Sequence, residues 1–166
     1  AYPLRRLEAE VLIDAICQIT GTTEKYVSPI PEPYTVIPDG QRSLSLPDGS
    51  ITSSFLELFG RPPRDTGMET ERNNRPSAAQ RLHMLNSSHV QRKIEDSPKL
   101  QYFFRNAKGP QALVTGLYLM ILSRFPTPEE GQVVAAYSQN GVVKGREAMV
   151  DLAWALFNST EFLYRH

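Results

Sequence analysis

The sequence predicts a mainly α fold: a compact multi-helix domain of about six to eight helices with one long Pro-rich irregular loop. Three observations support this class. Apolar residues recur every three or four positions over most of the 166 residues. Serine, threonine or proline precedes many of these periodic segments, and glycine or proline follows them, as at helix termini. Alternating strand patterns are weak and confined to residues 34–46.

Length and composition indicate a single helical domain, residues 1–166, which we expect to be a fragment of a larger protein. Lys plus Arg and Asp plus Glu are both 18, so the formal charge is zero and no general field attracts nucleic acid or acidic lipid. A single cysteine excludes an internal disulfide framework and a Cys-rich metal site. Apolar runs stay well below the roughly 20 residues that span a bilayer. We therefore expect no nucleic-acid partner and no direct membrane insertion.

The first predicted element is a helix that begins at Pro3 and ends at Gly21. Proline suits the first turn of a helix, and glycine suits the C-terminal cap. Its apolar residues form a stripe along one side. Glu10 is expected on the wetter side, four residues from Arg6, where the two side chains would pair weakly.

Residues 22–50 interrupt the helical pattern and are called the Pro-rich segment. They contain five prolines, which cannot donate a backbone hydrogen bond and which disfavour helix in the residue before them. Pro38-Asp39-Gly40 and Pro47-Asp48-Gly49 are turn sequences, and such paired turns suggest a small hairpin that includes Tyr34 to Ile37. An irregular loop of this length in a compact domain is often functional or an insertion.

Helices are predicted to fill the second half of the chain. A break at Asn86 to Ser88 divides the helix that starts at Pro76. Residues 110–124 form the most apolar helix, which we expect to lie centrally. Most of these helices begin at a capping box, in which a serine, threonine or asparagine is followed three residues later by Glu or Gln. The predicted boxes are Ser54 with Glu57, Ser77 with Gln80, Ser88 with Gln91, Thr127 with Glu130, and Asn158 with Glu161.

The densest run of charges lies between Arg61 and Arg75 and contains arginine but no lysine. A guanidinium presents a planar fork that grips carboxylates in pairs, a geometry that lysine cannot copy. Because neighbouring arginines keep carboxylates ionised, we expect a structural ion-pair network here. A pocket for an anionic or sugar-like ligand is the alternative. The candidates for this network or pocket are Arg61, Arg64, Asp65, Glu69, Glu71, Arg72, Arg75 and His83.

Patterns typical of catalysis or of cofactor attachment do not appear in the sequence. His83 and His89 are six residues apart and would point to different sides of an unbroken helix, so we expect bonds to neighbouring backbone or carboxylates and no metal. Cys17 lies among apolar residues and is expected to pack as a small hydrophobe. CxxCH, GxSxG and glycine-rich phosphate-binding motifs are missing. We therefore predict no catalytic residue and no cofactor in this chain.

Four blocks of the sequence carry a family resemblance: RRLEAEVLIDAI, FLELFGRPPRDTGMETERNNRPSAAQRLHMLNSSHVQRKI, LYLMILSRFPTPEE and REAMVDLAWALFNSTEFLYRH. In this order they resemble the planctomycete PSD domain, a domain of unknown function. In that family the domain ends large exported proteins and often follows a second uncharacterised domain and a cytochrome-c-like domain. The resemblance implies a periplasmic or cell-surface parent that is linked to electron transfer or to polysaccharide handling.

One motif of the family is altered in this chain. The family often has Cys-Glu-Cys-Glu-Arg where this sequence has Met68-Glu69-Thr70-Glu71-Arg72. Both cysteines are replaced, so a metal or redox role of that run is not expected here. Glu69, Glu71 and Arg72 match the family and are carried over with no assigned role.

These observations favour a non-catalytic helical interaction or scaffold domain of a larger exported bacterial protein. Its partners would be other domains of the same parent or members of an exported complex. The alternative is part of a carbohydrate-active or redox-linked enzyme whose site needs other domains. An open cleft that gathers Arg64, Glu69, Glu71, Arg72 and His83 would favour the enzyme. Arginines buried against carboxylates or carbonyls would favour the scaffold.

Overall fold

Helices make up most of the computed structural model, which describes residues 5–31, 33–46, 49–62, 69–73, 75–139 and 145–165, and they confirm the mainly α class. Short 3-10 turns cover Ser43–Ser45 and Glu69–Glu71. Two short strands, β1 (Arg5–Arg6) and β2 (Tyr164–Arg165), pair antiparallel. The helices are α1 (Ala9–Thr20), α2 (Ser54–Leu58), α3 (Ala78–Asn86), α4 (Ser88–Glu95), α5 (Pro98–Asn106), α6 (Pro110–Leu122), α7 (Pro128–Gln139), α8 (Arg146–Phe157) and α9 (Thr160–Leu163).

The hydrophobic core lies where α1 meets α2, α4 and α5, and where α8 meets α4 and α6. Helix α1 contributes the fully buried Leu12, Ile13 and Ile16. The rings of Phe55 and Phe59 stack beside α1 with their centroids 4.2 Å apart. Helix α6 buries only part of its surface, so it is less central than its composition predicts. Among the described residues, no helix combines the length and the apolarity that crossing a membrane requires.

The predicted start of the first helix was wrong, because α1 begins at Ala9. Arg5 and Arg6 form β1 instead, and the N–H of Leu7 donates to the carbonyl of Leu163 at 2.9 Å. The pairing with the far end of the chain satisfies backbone groups that a longer helix would otherwise have used. Gly21 ends the helix as predicted, in the left-handed conformation at φ 70°.

The Pro-rich segment is anchored to α1 by a buried carboxylate. Asp14 accepts the N–H groups of Ser43 at 2.7 Å and Leu44 at 3.1 Å. The carboxylate thereby caps a 3-10 turn at Ser43–Ser45. The expected hairpin was wrong for the described part of the segment, because residues 33–46 contain no strand and the amides of Ser43 and Leu44 bond to Asp14. An isolated antiparallel bridge between Val27 and Thr52 closes the base of the segment.

Helix caps follow the predicted chemistry, with small shifts in position. The capping box of Ser77 and Gln80 is confirmed at the start of α3. Three other helices are capped by a neighbour of the predicted residue. Ser53 caps α2 in place of Ser54, Ser87 caps α4 in place of Ser88, and Ser159 caps α9 in place of Asn158.

Candidate functional site

Two of the predicted arginines converge on Glu10, and these three residues are called the Glu10 cluster. Both guanidinium Nη atoms of Arg72 donate to the Glu10 carboxylate, one to each oxygen, at 2.8 Å. The Nε of Arg61 lies 3.5 Å from the same carboxylate. Glu10 is only 5% exposed, so the expectation that it lies on the wetter side was wrong. The forked geometry is the one that arginine was expected to provide.

The sequence predicted that Arg6 pairs with Glu10, but Arg6 instead contacts α2 and α3. Its guanidinium donates to the side-chain oxygen of Gln80 and, at 2.5 Å, to the carbonyl of Phe59. The same Gln80 oxygen accepts the N–H of Ser77 and completes the capping box of α3. This buried arginine therefore joins β1 to the start of α3 and to the end of α2.

A close backbone contact brings Arg72 over Glu10. The N–H of Asn73 donates to the carbonyl of Gly60 at 3.0 Å. Gly60 adopts φ 98°, and a Cβ atom built on it would lie 2.0 Å from the carbonyl oxygen of Asn73. Only glycine allows both the conformation and the approach. Gly60 thus sets the position of residues 69–73 relative to α1.

The structure places the other predicted site residues in the 3-10 turn next to Arg72, at an exposed position, in a second cluster, or outside the described residues. Arg64 and Asp65 fall outside the described residues. The backbone of Glu69 belongs to the 3-10 turn that also contains the exposed Glu71. The side chain of Arg75 is exposed. His83 lies in α3 and belongs to a second cluster.

The second cluster is built around Glu24 and was missed by the sequence analysis; it comprises Glu24, His83, His89, Lys93 and Cys17. The Glu24 carboxylate lies 2.9 Å from His89 Nε2 and 3.0 Å from Lys93 Nζ. Lys93 Nζ also donates to the Thr23 carbonyl at 2.7 Å and lies 3.4 Å from Cys17 Sγ. The chain of contacts is therefore continuous from a histidine to the cysteine.

The helix break at Ser87 brings the two histidines together. Because α3 ends at Asn86 and α4 begins at Ser88, the rings of His83 and His89 face each other, with Nε2 of His83 3.5 Å from Nδ1 of His89. The break predicted at Asn86 to Ser88 is confirmed, and the separation expected for an unbroken helix therefore does not apply. The expected bond from a histidine to a neighbouring carboxylate is confirmed for His89 and Glu24.

Burial and neighbouring charges perturb the titration of this Glu24 cluster. Burial lowers the pKa of His83, and the adjacent His89 lowers it further. Burial by itself raises the pKa of Glu24, but hydrogen bonds and charges from His89 and Lys93 outweigh that effect and lower it overall. Burial raises the pKa of the Cys17 thiol despite the nearby ammonium of Lys93. A protonated thiol fits a packing role better than a nucleophilic one.

The two clusters offer little free coordinating capacity. In the part of the chain that the structure describes, no group of three His, Cys, Asp or Glu side chains is arranged to hold a metal ion. Glu10 already receives two hydrogen bonds from Arg72, and Glu24 already contacts an ammonium and an imidazole. Their arrangement ties distant parts of the chain together: Arg72 is 62 residues from Glu10, and His89 is 65 residues from Glu24.

The Pro-rich segment presents a third notable feature, a set of apolar side chains on an anchored loop. Tyr34 is 85% exposed, and Val27 and Val36 are more than 60% exposed. Asp14 accepts a hydrogen bond from the N–H of Ser43 in this loop, and the Tyr26 hydroxyl lies 2.6 Å from the Ser43 hydroxyl. These side chains are called the Pro-rich surface, which comprises Val27, Ile30, Tyr34, Val36 and Leu44.

Comparison with known proteins finds one family. Residues 1–138 match the profile of PSD1, described as a protein of unknown function (DUF1553). No curated protein and no solved structure matches the chain. The matched residues include the Glu10 cluster, the Glu24 cluster and the Pro-rich segment.

Proposed function

Because the chain belongs to the PSD1 family, whose function is unknown, we propose from its geometry that it is a non-catalytic interaction domain of a larger exported protein. The observation that carries this proposal is the Pro-rich surface. Large apolar side chains, which ordinarily pack inside, are held outward on a loop that a buried carboxylate anchors. We infer that another domain of the same parent, or of an exported complex, covers them.

The loop has properties that favour binding. Proline fixes φ, so a proline-rich loop loses less conformational freedom when a partner orders it. The hydrogen bonds to Asp14 hold Ser43 and Leu44 in place before any partner arrives. Tyr34 offers a large ring with one polar end, and such side chains often contribute most to interface affinity. The apolar side chains and the hydrogen bonds to Asp14 thus distinguish this segment from an ordinary polar surface loop.

The two buried clusters also support a scaffold over the enzyme alternative. An acid–base pair needs a carboxylate that can exchange a proton with a substrate. Glu10 is instead held by the fork of Arg72, and Glu24 is held by Lys93 and His89. Arg61 is buried and Arg72 is half-buried against the Glu10 carboxylate, as expected for a scaffold. We also propose that the chain has no cofactor of its own, and elemental analysis of the purified protein should find no stoichiometric metal.

Hydroxyl-radical footprinting tests the interaction proposal directly. The modification rate of Tyr34 is measured in this chain alone and in the full parent protein, at a concentration low enough to suppress self-association. We expect Tyr34 to become several-fold less reactive in the parent, while Tyr102, which is 71% exposed, stays reactive. Equal reactivity of Tyr34 in both proteins would contradict the proposal.

A paired substitution provides the matching functional test. The double variant Tyr34→Ser with Val36→Ser should leave the unfolding free energy of this chain within about 0.5 kcal/mol of wild type, because both side chains are exposed. In the full parent the same variant should restore high reactivity to Val27, since the covering domain has lost its main contacts. Continued protection of Val27 would place the contact elsewhere.

A further inference from the structure

Helix α7 exposes apolar side chains that a surface helix ordinarily turns toward the core. None of its twelve residues is buried. Its inner side carries Glu130, Val134 and Ser138, which are half-buried, whereas Val133 is 69% exposed and Tyr137 is 47% exposed. An amphipathic helix ordinarily turns such residues toward the core. The outer face of α7 is formed by Glu129, Val133 and Tyr137 at spacings of four. The Tyr137 hydroxyl donates to Asp151 of α8, whereas Glu129 and Val133 are exposed.

A groove of matching character lies between α5 and α6. It has a volume of about 570 Å³ and is lined mainly by Tyr102, Phe103, Ala107 and Met120. Tyr102 is 71% exposed at its edge. Lys99 also lines the groove, and its ammonium donates to the carbonyl of Gln18, so no carboxylate in that contact neutralises its charge. The groove is apolar along its floor and basic at its rim.

The charges of the two surfaces are opposite. Lys99 is the one charged residue among the described residues that line the groove. Helix α7 contains Glu129 and Glu130 but no Lys or Arg. Glu130 is already held by Arg124 at 2.8 Å, so Glu129 is the carboxylate that α7 presents to solvent. The partner that suits the groove is thus a helix with an acidic first turn and apolar residues four apart.

We propose that the outer face of α7 of one copy docks in the α5–α6 groove of a second copy of this chain. Within one copy, α7 is tied to its own surroundings by Arg124–Glu130 and by the hydrogen bond from Tyr137 to Asp151 at 2.8 Å. It therefore offers Glu129 and Val133 to another molecule. Glu129 would approach Lys99, and Val133 and Tyr137 would cover Tyr102 and Met120. A single kind of contact would thus cover both the outer face of α7 and the α5–α6 groove.

The geometry of such a contact determines the assembly. Because the two faces are different, each copy retains one free face of each kind after the first contact forms, and the association continues head to tail into a ring or an open chain. The contact is small, below about 1,200 Å² in total, which is typical of weak association. We expect self-association at high micromolar concentration that weakens when salt screens the charges. This contact is separate from the Pro-rich surface.

Single-face variants provide the decisive test by analytical ultracentrifugation. The groove variant is Lys99→Gln with Tyr102→Ser, and the α7 variant is Glu129→Gln with Val133→Ser, so that the two altered faces carry no opposite charges. The substituted side chains are exposed, although Lys99 loses its hydrogen bond to the carbonyl of Gln18. Thermal unfolding checks that each variant is folded. Each variant alone should associate at least about tenfold more weakly than wild type. An equimolar mixture should form 1:1 dimers and nothing larger, because one intact contact remains between an unaltered groove and an unaltered α7.

The control is Val36→Ser, which alters the Pro-rich surface and should leave self-association unchanged. A wild-type chain that stays monomeric at the highest concentration would overturn the inference. So would a groove variant that still associates like wild type, or a mixture that gives no dimer. These outcomes leave the Tyr34 footprint in the parent unaffected, so failure of this inference is distinguishable from failure of the proposed function.

Discussion

Two of the buried carboxylates in the described residues, those of Glu10 and Glu24, are held in contrasting ways. Glu10, in the first turn of α1, is gripped by the planar fork of Arg72 and approached by Arg61. Glu24, just beyond the end of α1, is held by Lys93 and by His89. Arginine stays charged at any pH that the folded protein meets. The Glu24 cluster instead includes His83, whose pKa is lowered by burial from the usual histidine value. One end of α1 is thus held through arginine, and the other end lies in a cluster that contains a titrating histidine.

Glu10 and Glu24 are similarly buried, but they join different parts of the chain. Both carboxylate side chains are less than one-tenth exposed. The Glu10 cluster joins residues 69–73 to α1 through the guanidinium of Arg72. The Glu24 cluster joins α4 to the Pro-rich segment and contains His83 and Glu24, whose pKa values are lowered in the folded chain. Substitutions in each cluster therefore test whether the Glu10 and Glu24 clusters contribute differently to stability.

The largest effect is expected from neutralising Glu10. Glu10→Gln removes the negative charge that Arg61 and Arg72 face in a buried site, and breaking such a pair typically costs about 3 kcal/mol or more. Glu24→Gln should cost about half as much, because Lys93 keeps its bond to the Thr23 carbonyl. Chemical denaturation of both variants measures the difference. Equal losses would mean that forked geometry gives no advantage here.

A second large effect is expected at Gly60. An alanine Cβ would meet the carbonyl of Asn73, and the positive φ adds strain, so Gly60→Ala should lose about 2–3 kcal/mol. Gly131→Ala is the matched control, because no atom lies within 4 Å of the added Cβ and alanine favours helix. Thermal unfolding of both variants is the measurement. A Gly60 variant as stable as the control would show that residues 69–73 are not held against α2.

An intermediate effect is expected from Arg72→Lys. The charge remains, but the second hydrogen bond to Glu10 is lost, so the variant should lose about 1–2 kcal/mol and melt about 3–6 °C lower. Arg75→Lys, at an exposed position nearby, should melt like wild type. Differential scanning calorimetry compares the two. The forked contact would be disproved if both variants had the wild-type melting temperature.

The sequence predicted the local features of this fold better than the distant ones. The capping box of Ser77 and Gln80 lies within four residues, and it forms as predicted. Where two capping residues are adjacent, as at Ser53 and Ser54, spacing alone did not identify the cap, and Ser53 accepts the capping bond from the N–H of Leu56. The start of α1 was wrong because Arg5 and Arg6 pair with residues at the opposite end of the chain.

The candidate site could be predicted only in its residue types. Arginine forks were expected, and Arg72 makes one, but its partner Glu10 lies 62 residues away. Periodicity placed Glu10 on the solvent side because a carboxylate is normally excluded from a core unless a partner arrives from elsewhere. The histidine cluster was missed for a different reason. The break at Asn86 to Ser88 was predicted, but the two histidines were compared as if they lay on one unbroken helix. The approach of His89 to His83 and Glu24 was therefore not anticipated.

The smallest effect, and the one that most sharpens the contrast, is a dependence of stability on pH that originates in the Glu24 cluster. Burial and His89 lower the pKa of His83 from its usual 6.5 in the folded chain. The unfolded chain therefore binds a proton at His83 first as the pH falls. Stability that is fully present above about pH 6.5 is lost on acidification until the folded His83 also protonates. Glu24, whose pKa is lowered from 4.5, adds a further loss at lower pH.

Melting temperatures at pH 7.5 and 5.5 test this expectation. Wild type should melt lower at pH 5.5, and His83→Gln should show a smaller difference between the two pH values, because the titrating ring is gone. Arg72→Lys should keep the wild-type difference while melting lower at both pH values, since the charges of the Glu10 cluster are not those of the histidines. If His83→Gln kept the full difference and Arg72→Lys abolished it, the pH response would belong to the Glu10 cluster, and the contrast between the two ends of α1 would be reversed.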